Sequence, residues 1–469
     1  MKIACFHLMP YRDLEPDFEQ KHKSAWFTLP FEGVADRQKV SQYYNWTLDE
    51  LEHAAKLGFD GVCTNEHHQN AYGFMVNPNM MGSVLARATR GTRTAIIQMG
   101  ETAVFLNPPI RVAEEYAMLD SISEGRMVAG FPVGLGGDFS YSYGMAPIEQ
   151  RARYNEAHDL IVKAWKSHEP FAWNGKYYQL PMVNIWPKPS QQPHPPIWVP
   201  GNASPSTWDF VIKHDYSYCF LTYFGAKGAQ HMVNGYWEKV AAAGRDLNPY
   251  RLTFLVPVGI SETDEQAEAD FGAATEYFYH KLLHLPEQLM LPPGHMNYQS
   301  LQHVFTKRPF PPFEELKRHR FKDFNEQDFV VCGSAKTVTE RLTHIVKTLR
   351  VGHLLLLPQF GSLSHQRTME NIERIAKNVL PQLRPIWDNE GWEDRWWPHA
   401  AQPLRQVEWH AELTRQCPKD RLVALHLLAE RTCTAIDPSV PGHESVMEFA
   451  RAFHAAGQRL RAHAQQRAM

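Results

Sequence analysis

Residues 58–69 of the chain, GFDGVCTNEHHQ, contain the local pattern that decides the fold. The short apolar run at 61–65 predicts a β-strand, and the residues before it, at about 47–57, have helical spacing. Directly after the strand comes the polar sequence NEHHQ. The pattern is therefore a helix, a strand with apolar side chains, and chemically reactive residues where the strand ends.

The same kind of apolar run recurs along the chain. The predicted strands are 2–9, 61–65, 94–100, 126–133, 197–200, 218–223, 252–260 and 353–358. Helical periodicity is found at about 47–57, 78–90, 109–123, 147–167, 205–214, 227–243, 335–349 and 366–382. The strands are almost continuously apolar, which is typical of parallel strands that are covered on both faces. Eight β/α units predict an α/β fold of the (β/α)8 TIM-barrel type.

Two segments extend this barrel, which we assign to residues 1–385. A long insertion, 261–334, follows the seventh strand and so lies on the C-terminal face, where barrel enzymes build their active sites. A loop of this length is usually a lid or a binding element, or else disordered, and we predict a lid. Residues 386–469 predict a Trp-rich strap against the barrel, followed by a C-terminal α-helical extension.

The composition is that of a folded protein and excludes several classes. The 469 residues are 43% hydrophobic and 21% charged, with a net charge of -3, so neither a disordered chain nor a general nucleic-acid binder is expected. The N-terminal segment lacks the apolar core of a signal peptide, and no apolar run reaches the ~18 residues of a membrane span. Six widely spaced cysteines are typical of a reduced, cytoplasmic protein. We therefore expect no membrane partner.

The polar sequence after the second strand supplies a candidate base. His67 and His68 lie beside Glu66 at the predicted mouth of the barrel, and an imidazole oriented by a carboxylate can move protons near neutral pH. Alternatively, the histidines only bond the loop backbone. Neighbouring residues of an extended strand point to opposite faces, so we expect no metal ion to be bound by these three residues.

A candidate phosphate site follows the fifth strand. In the sequence PGNASPSTWDF, 200–210, Ser204 and the following proline form a helix start, and the hydroxyl of Thr207 lies in the first turn. Helix N-termini bind phosphate, although the same pattern also describes a capped helix without a ligand. The sequence GLGGDF at 134–139 follows a strand but is not expected to lead into a helix, so it fails as a dinucleotide motif.

Four motifs in the same order resemble the bacterial luciferase-like (alkanal monooxygenase-like) flavin-dependent monooxygenases. The motifs are LxxAxxLGFDGVxxxEHH at 51–68, NPPIRVAEEYAMLDSISEGR at 107–126, PPIWVPGNASPST at 195–207, and GSAKTVTERL at 333–342 with LLLLPQFG at 354–361. The resemblance covers about residues 1–385. It implies a (β/α)8 barrel that binds reduced FMN (FMNH2) and reacts it with O2 through a flavin peroxide adduct.

The resemblance also implies roles for individual residues. His67 matches the catalytic histidine, with Glu66 and His68 beside it as catalytic or orienting groups. The cofactor contacts are expected at Gly100, Glu101, Tyr154, Gly201, Asn202, Ala203, Ser204 and Thr207. Family members carry a cysteine and a phosphate-binding arginine where this chain has Pro132 and Val133, and we expect Arg153 or Tyr154 to compensate.

The resemblance implies an oxidoreductase that oxidises a small or medium-sized organic substrate. The expected partners are a separate NAD(P)H:flavin reductase, which supplies FMNH2, and a second copy of the chain in a homodimer. Two alternatives stay open, since the fold alone does not choose among them. One is a deazaflavin-dependent hydride-transfer enzyme, and the other is a non-catalytic flavin-binding subunit.

Overall fold

Eight parallel strands form a closed barrel around apolar side chains. The computed structural model describes residues 1–101, 108–202, 204–221, 225–286, 289, 292, 294–298, 300–302 and 313–401. Its strands are β1 (Lys2–Phe6), β2 (Gly61–Thr64), β3 (Ala95–Gln98), β4 (Met127–Gly130), β5 (Phe171–Asn174), β6 (Gln179–Val183), β7 (Ile197–Gly201), β8 (Ser217–Phe220), β9 (Leu252–Ser261), β10 (Val331–Ser334) and β11 (His353–Leu357). All of these except β5, β6 and β10 belong to the barrel.

The barrel closes through β1 and β9. Strand β1 pairs with β2 and with β11, so that Cys5 lies opposite both Val62 and Leu356. Strand β9 pairs with β8 and with β11, which returns the strand order to its starting point. The predicted TIM-type barrel is confirmed, and each of its eight predicted strands overlaps a barrel strand.

Consecutive residues of a barrel strand face two different apolar layers. Ile3 and Cys5 pack with side chains of the outer helices, whereas Ala4 packs with Cys63 and Leu355 from other strands inside the barrel. Because side chains alternate across a strand, both sets must be apolar to be buried. This explains the continuous apolar runs in the sequence.

Helices cover the outside of the barrel. The outer helices are Arg37–Lys56, Pro78–Ala88, Pro109–Ile122, Pro147–Lys166, Pro205–His214, Gly225–Ala242, Ala335–Leu349 and His365–Asn378, and shorter ones are Phe18–Lys21, Gly136–Tyr143, Ala267–Glu276, Phe313–Leu316, Phe321–Glu326 and Leu380–Leu383. The first outer helix begins ten residues before its predicted start near residue 47. The side chain of Asp36 accepts hydrogen bonds from the backbone N–H groups of Gln38 and Lys39, and this cap sets the true start.

Several elements were not predicted, and three of them bear on the architecture of the barrel. Strands β5 and β6 form an antiparallel hairpin in which buried and exposed residues mix, so it has no apolar run. Strand β10 pairs with the second half of β9, beyond the residues that pair with β11. The prediction that GLGGDF does not lead into a helix was wrong, because Gly136–Tyr143 is helical and Gly144 ends this helix with a φ of 69°.

The insertion begins where β9 ends, at the C-terminal end of the barrel strands. Its first part is the helix Ala267–Glu276, which continues into a π-helical turn, Tyr277–Leu282. The indole N–H of Trp26, from the loop after β1, donates to the carbonyl of Leu282 at 2.8 Å. Two loops from distant parts of the chain therefore meet at this end of the barrel, and the lid function of the insertion stays a prediction.

The Trp-rich strap packs across the opposite, N-terminal end. Trp397 stacks on His353, the first residue of β11, with ring centroids 5.6 Å apart. A Cβ added to Gly61, the first residue of β2, would lie 3.2 Å from the Trp397 ring. The indole N–H of Trp198 in β7 donates to the carbonyl of Trp396 at 2.9 Å. Aromatic rings therefore fill the N-terminal mouth of the barrel.

The compact unit that contains the barrel is Met1–Gln402, so the strap residues 386–401 lie in it. The predicted helices near 419–436 and 444–465 lie outside the described residues. Within the described part of the chain, no helix is both long enough and apolar enough to cross a bilayer.

Candidate functional site

Residues from the ends of β2 and β3 meet at the C-terminal end of the barrel. Glu66 and His67 follow β2, and Gly100 and Glu101 follow the neighbouring strand β3. A Cβ added to Gly100 would lie only 2.6 Å from both the Cβ and the backbone nitrogen of Glu66. Only glycine allows the two strand ends to come this close. The structure thus brings together two groups of residues that the sequence predicted separately.

His67 is oriented by a buried carboxylate. Its Nδ1 atom lies 2.9 Å from Oδ2 of Asp138, which is on the helix Gly136–Tyr143 and is 1% exposed. A carboxylate accepts hydrogen bonds, so the neutral imidazole carries its proton on Nδ1 and leaves Nε2 as the proton acceptor. The rings of Trp26 and Tyr72 stand edge-on to the imidazole, with centroids at 5.8 and 5.0 Å. His67 is therefore a positioned base with two aromatic neighbours.

His68 belongs to a different chain of hydrogen bonds. Its Nε2 atom lies 3.0 Å from Oε1 of Glu66, and the Tyr143 hydroxyl lies 3.1 Å from its Nδ1. With the Nε2 proton donated to Glu66, Nδ1 accepts from the tyrosine hydroxyl. His68 is buried and links Glu66 to Tyr143, and its predicted catalytic or orienting role stays a prediction.

Glu101 is a buried carboxyl group on a strained residue. Its φ is 80°, a conformation that costs a non-glycine residue roughly 1–3 kcal/mol. Burial, followed by the charges of Glu66 and Glu115, raises the pKa of Glu101 well above its usual range. The side-chain amide of Asn79 donates to Glu101 and, at 3.1 Å, to Glu115. The raised pKa favours the protonated carboxyl group, which can donate a hydrogen bond.

The helix Pro205–His214 begins shortly after β7, and its N-terminus is the predicted phosphate site. Ser204 is at its N-cap, as predicted, but its hydroxyl does not bond the helix backbone. Instead, it lies 2.8 Å from the Ser206 hydroxyl and 3.0 Å from the Ser300 hydroxyl of the insertion. Residue 205 is proline, so Ser206 is the first helical residue with a backbone N–H, and the N–H of Thr207 donates to the carbonyl of Ser204 at 2.9 Å. A cluster of hydroxyls at a helix N-terminus is an arrangement that can bind a phosphate.

Arg151 supplies a positive charge to this helix start and was not predicted. Its Nη2 atom donates to the Thr207 hydroxyl at 3.0 Å, and its guanidinium lies 5.7 Å from the centre of the Tyr154 ring. Its Nη1 atom is buried and has no hydrogen-bond partner among the described residues. A buried guanidinium nitrogen that lacks a partner is a position where an anion can be bound.

The sequence contained a signal that separates Arg151 from Arg153. Arg151 is three residues before the buried Tyr154 and so lies on the same helix face, whereas Arg153 is adjacent and turns away. In the structure Arg153 pairs with Glu149 at 2.9 Å and lies over the ring of Tyr177. The Tyr154 hydroxyl donates to the carbonyl of Phe131 at 2.7 Å. Arg151, rather than Arg153, is thus the arginine beside Thr207, and the predicted phosphate contact from Arg153 or Tyr154 stays a prediction.

The remaining predicted contacts surround the same helix start. A Cβ added to Gly201 would lie 3.2 Å from a methyl group of Thr207, so the absence of a side chain lets the backbone approach the helix. Asn202 is exposed, and its carbonyl accepts a hydrogen bond from Tyr218. Ala203 lies outside the described residues.

Residues of the insertion cover this anion site. His295 lies 2.8 Å from the side-chain oxygen of Gln150, which in turn donates to the carbonyl of Val133. Burial, together with the positive charge of Arg151, lowers the pKa of His295 to about 4. The Ser300 side chain, 1% exposed, reaches Ser204. The insertion therefore contributes a neutral imidazole and a hydroxyl to the walls of the site.

Comparisons with known proteins agree with this architecture. The model of the family described as luciferase-like monooxygenase matches residues 23–351. The oxygenase component of a flavin-dependent trigonelline monooxygenase from Acinetobacter baylyi is 26% identical over 355 residues, which cover 75% of this chain and 92% of that protein.

Two solved structures show the same fold. The oxygenating constituent of 3,6-diketocamphane monooxygenase from Pseudomonas putida, in complex with FMN, matches with a TM-score of 0.61 at 19% identity, over 81% of this chain and 98% of that one. An F420-dependent secondary alcohol dehydrogenase matches with a TM-score of 0.56 at 15% identity, over 82% and 99% of the two chains. At these identities the structural likeness concerns the fold alone.

Proposed function

The chain belongs to the luciferase-like monooxygenase family, and from this premise we propose that it is the oxygenase component of a two-component monooxygenase. In this proposal it uses FMNH2 and O2 to oxidise a small or medium-sized organic substrate. The observation that carries the proposal is that an anion site at Arg151 and an oriented base at His67 are at the same end of one barrel. A cofactor with a phosphate at one end and a reactive ring at the other matches such a pair of sites.

The anion site fits the phosphate of FMN. Arg151 offers a buried donor that has no partner among the residues that the structure describes, and guanidinium groups bind phosphate with two parallel hydrogen bonds. The hydroxyls of Thr207 and Ser204, with the backbone N–H of Ser206, supply further donors. When bound, reduced FMN would supply the electrons for the activation of oxygen.

His67 is the proposed acid and base of the reaction. With Asp138 holding the Nδ1 proton, Nε2 can accept a proton, and the buried carboxylate stabilises the resulting imidazolium. Trp26 and Tyr72 keep apolar surface against the imidazole and so limit the access of water. Glu101, whose pKa is raised by burial and by the charges of Glu66 and Glu115, is the proposed donor to the polar edge of the ring.

The proposed partners are a separate NAD(P)H:flavin reductase and a second copy of the chain. The A. baylyi relative is described as an oxygenase component, which supports a reductase on another chain. For the homodimer, Met80 and Val84 on one helix are 70% and 50% exposed, and Met118 and Ile122 on the adjacent helix are 49% and 38% exposed. An apolar patch that spans two helices is a typical oligomer interface.

Anaerobic titration separates the proposal from its two alternatives. We expect micromolar affinity for FMNH2 and much weaker binding of a reduced deazaflavin, followed by O2 consumption with a panel that includes trigonelline, ketones and aldehydes. Binding of the deazaflavin alone would contradict the proposal. FMNH2 binding without an oxygenated product from any panel member would favour the non-catalytic subunit.

Two variants test the assigned parts of the proposal. His67→Ala should leave FMN affinity within about twofold and reduce turnover by roughly 100-fold or more, and unchanged turnover would refute its role. Met118→Lys should convert a dimer into a monomer in size-exclusion chromatography with light scattering, since a charge is placed in the apolar patch. A wild-type protein that is already monomeric would remove the homodimer from the proposal.

A further inference from the structure

A second group of ligand-type side chains lies on the outer helices. His158 and Asp159 are on the helix Pro147–Lys166, and His214 is the last residue of the helix Pro205–His214. One ligand atom from each of the three residues lies within 4.8 Å of the other two. All three line a cavity of about 360 Å³ that opens to solvent. None of them takes part in the flavin site proposed above.

The spacing of these atoms is close to that of a metal site. The Nδ1 atom of His158 is 3.0 Å from Oδ1 of Asp159, and the centroids of the two imidazole rings are 4.8 Å apart. Zinc bonds of about 2.0–2.1 Å in a tetrahedral arrangement place ligand atoms about 3.3 Å from one another. The side chain of Asp159 is 60% exposed, so a small rotation can bring its oxygen to that position.

The surroundings of His158 prepare its Nδ1 atom for this role. The Tyr216 hydroxyl lies 2.8 Å from Nε2, and the side chain of His158 is 2% exposed. A histidine that binds a metal usually donates its other ring N–H to a fixed acceptor, which sets the orientation of the ring. Without a metal, the N–H at Nδ1 donates to the Asp159 carboxylate and Nε2 accepts from the Tyr216 hydroxyl. A bound metal would take the place of the Nδ1 proton, and Nε2 would then carry a proton and donate to Tyr216.

Two features of the cavity reduce the repulsion that a cation would meet. Lys163, which also lines it, has its Nζ atom 4.2 Å from the centre of the Phe171 ring and is directed toward the β5–β6 hairpin. His214 ends its helix, and the carbonyl groups at a helix C-terminus favour positive charge. The carboxylate of Asp159 supplies the one negative charge among the three ligands.

We propose that His158, Asp159 and His214 bind a divalent transition-metal ion, with Zn²⁺ as the reference ion and water from the cavity as the fourth ligand. Two imidazoles and a carboxylate form a ligand set that suits zinc and its neighbours in the first transition row and discriminates against calcium and magnesium. The proposal is independent of flavin binding and of turnover.

The position of this site gives the metal a structural role. Arg151 on one helix contacts Thr207 on the other. Seven residues further along each of these two helices, His158 faces His214. Seven residues of helix are roughly 10 Å long, so the metal would tie the two helices together about two turns from the anion site. It would thereby brace the helix whose N-terminus holds Ser204.

The test is metal binding by the full-length protein after chelator treatment, measured by calorimetry and by the visible absorption of added Co²⁺. We expect wild type to bind Zn²⁺ with micromolar affinity and its Tm to rise by at least about 2 °C at saturation. His214→Ala should weaken this site at least tenfold and abolish the rise in Tm. Asp159→Asn, at an exposed position that folding tolerates, should weaken binding as well.

His168→Ala is the matched control, because His168 is an exposed histidine just after the same helix. It should bind Zn²⁺ as wild type does, and zinc held by other histidines will be common to all variants. Equal Zn²⁺ affinity and equal Tm shifts in wild type and both ligand variants would overturn the proposal. A rise in Tm with inorganic phosphate and none with Zn²⁺ would also overturn it, since Lys163 and Lys166 would then make this an anion site.

Discussion

The Nδ1 atom of His67 lies 2.9 Å from a carboxylate oxygen of Asp138, although 71 residues separate the two in the chain. The contact joins the end of β2 to the helix that follows β4, and so it crosses β3. It determines which nitrogen of the imidazole carries the proton, because an ionised carboxylate only accepts hydrogen bonds. The proposed base thus depends on a residue from another part of the fold.

Asp138→Asn should therefore impair catalysis without weakening flavin binding. The amide can donate to Nδ1 and favour the other tautomer, so we expect kcat to fall by roughly 100-fold, with KM and FMN affinity changed by less than about twofold. Steady-state kinetics, fluorescence titration of FMN and the Tm check the three quantities. A parallel loss of FMN affinity and Tm would show that Asp138 is only structural.

Arg151→Met should reduce the affinity for FMN. The substitution removes a charged donor to the proposed phosphate, and the expected loss is about 10- to 100-fold in Kd. Riboflavin lacks the phosphate, so its affinity should be equal in wild type and variant. Arg153→Met is the control, because Arg153 pairs with Glu149 and should leave both affinities unchanged. Equal FMN affinity in wild type and Arg151→Met would contradict the phosphate assignment.

Gly100→Ala should destabilise the protein. The new Cβ would lie 2.6 Å from the backbone nitrogen of Glu66, which cannot rotate away, and overpacking of this kind costs about 1–3 kcal/mol. Gly235→Ala is the matched control, because its Cβ would meet only the Trp208 ring at 3.5 Å within a helix. Thermal unfolding should show a lower Tm for the first variant and an equal or higher Tm for the second. The reverse order would refute the close approach of β2 and β3.

Glu101 should make stability fall as pH rises. Burial, then Glu66 and Glu115, raises the pKa of this carboxyl above the ordinary 4.5, so the folded state holds a proton that the unfolded chain releases. This stabilisation is fully present below the pKa that the carboxyl group has in the unfolded chain. It is lost as the pH rises from that value to the higher pKa of the folded state, by at most about 1.4 kcal/mol per pH unit. Glu101→Gln should remove that loss.

Urea unfolding of both proteins at about pH 5 and about pH 8 checks the difference. We expect Glu101→Gln to gain stability relative to wild type at the higher pH, since the amide keeps the hydrogen bond from Asn79 and cannot ionise. The same pH dependence in both proteins would place Glu101 in a more solvated environment than the structure shows.

The barrel was predictable from the sequence because its strands are buried on both faces. Ile3 and Ala4 enter different apolar layers, and so the whole run must be apolar. The β5–β6 hairpin was missed for the converse reason, since Phe171 and its neighbours alternate between half-buried and exposed positions. The local pattern of apolar residues in a sequence indicates which segments are buried, so strands at the surface are harder to predict from it.

The sequence identified individual residues of the candidate site but did not identify the contacts between them. His67 was found because it follows a strand whose end is at the C-terminal face, and Glu101 was expected from the family resemblance. Asp138 was missed because its segment was not expected to be helical, and the pairing with His67 depends on that helix. Arg151 was missed although its spacing from Tyr154 was available, because the choice between two arginines requires knowing which face of the helix is buried.

The Trp-rich strap covers the end of the barrel that is remote from His67. Trp198, His353 and Trp397 pack against one another there, within the part of the chain that the structure describes. The interior between the two ends is filled by side chains of the strands, so neither a cofactor nor a substrate can pass through the barrel. Substitutions in the strap should therefore change the stability of the barrel and leave the access of ligands to His67 unaffected.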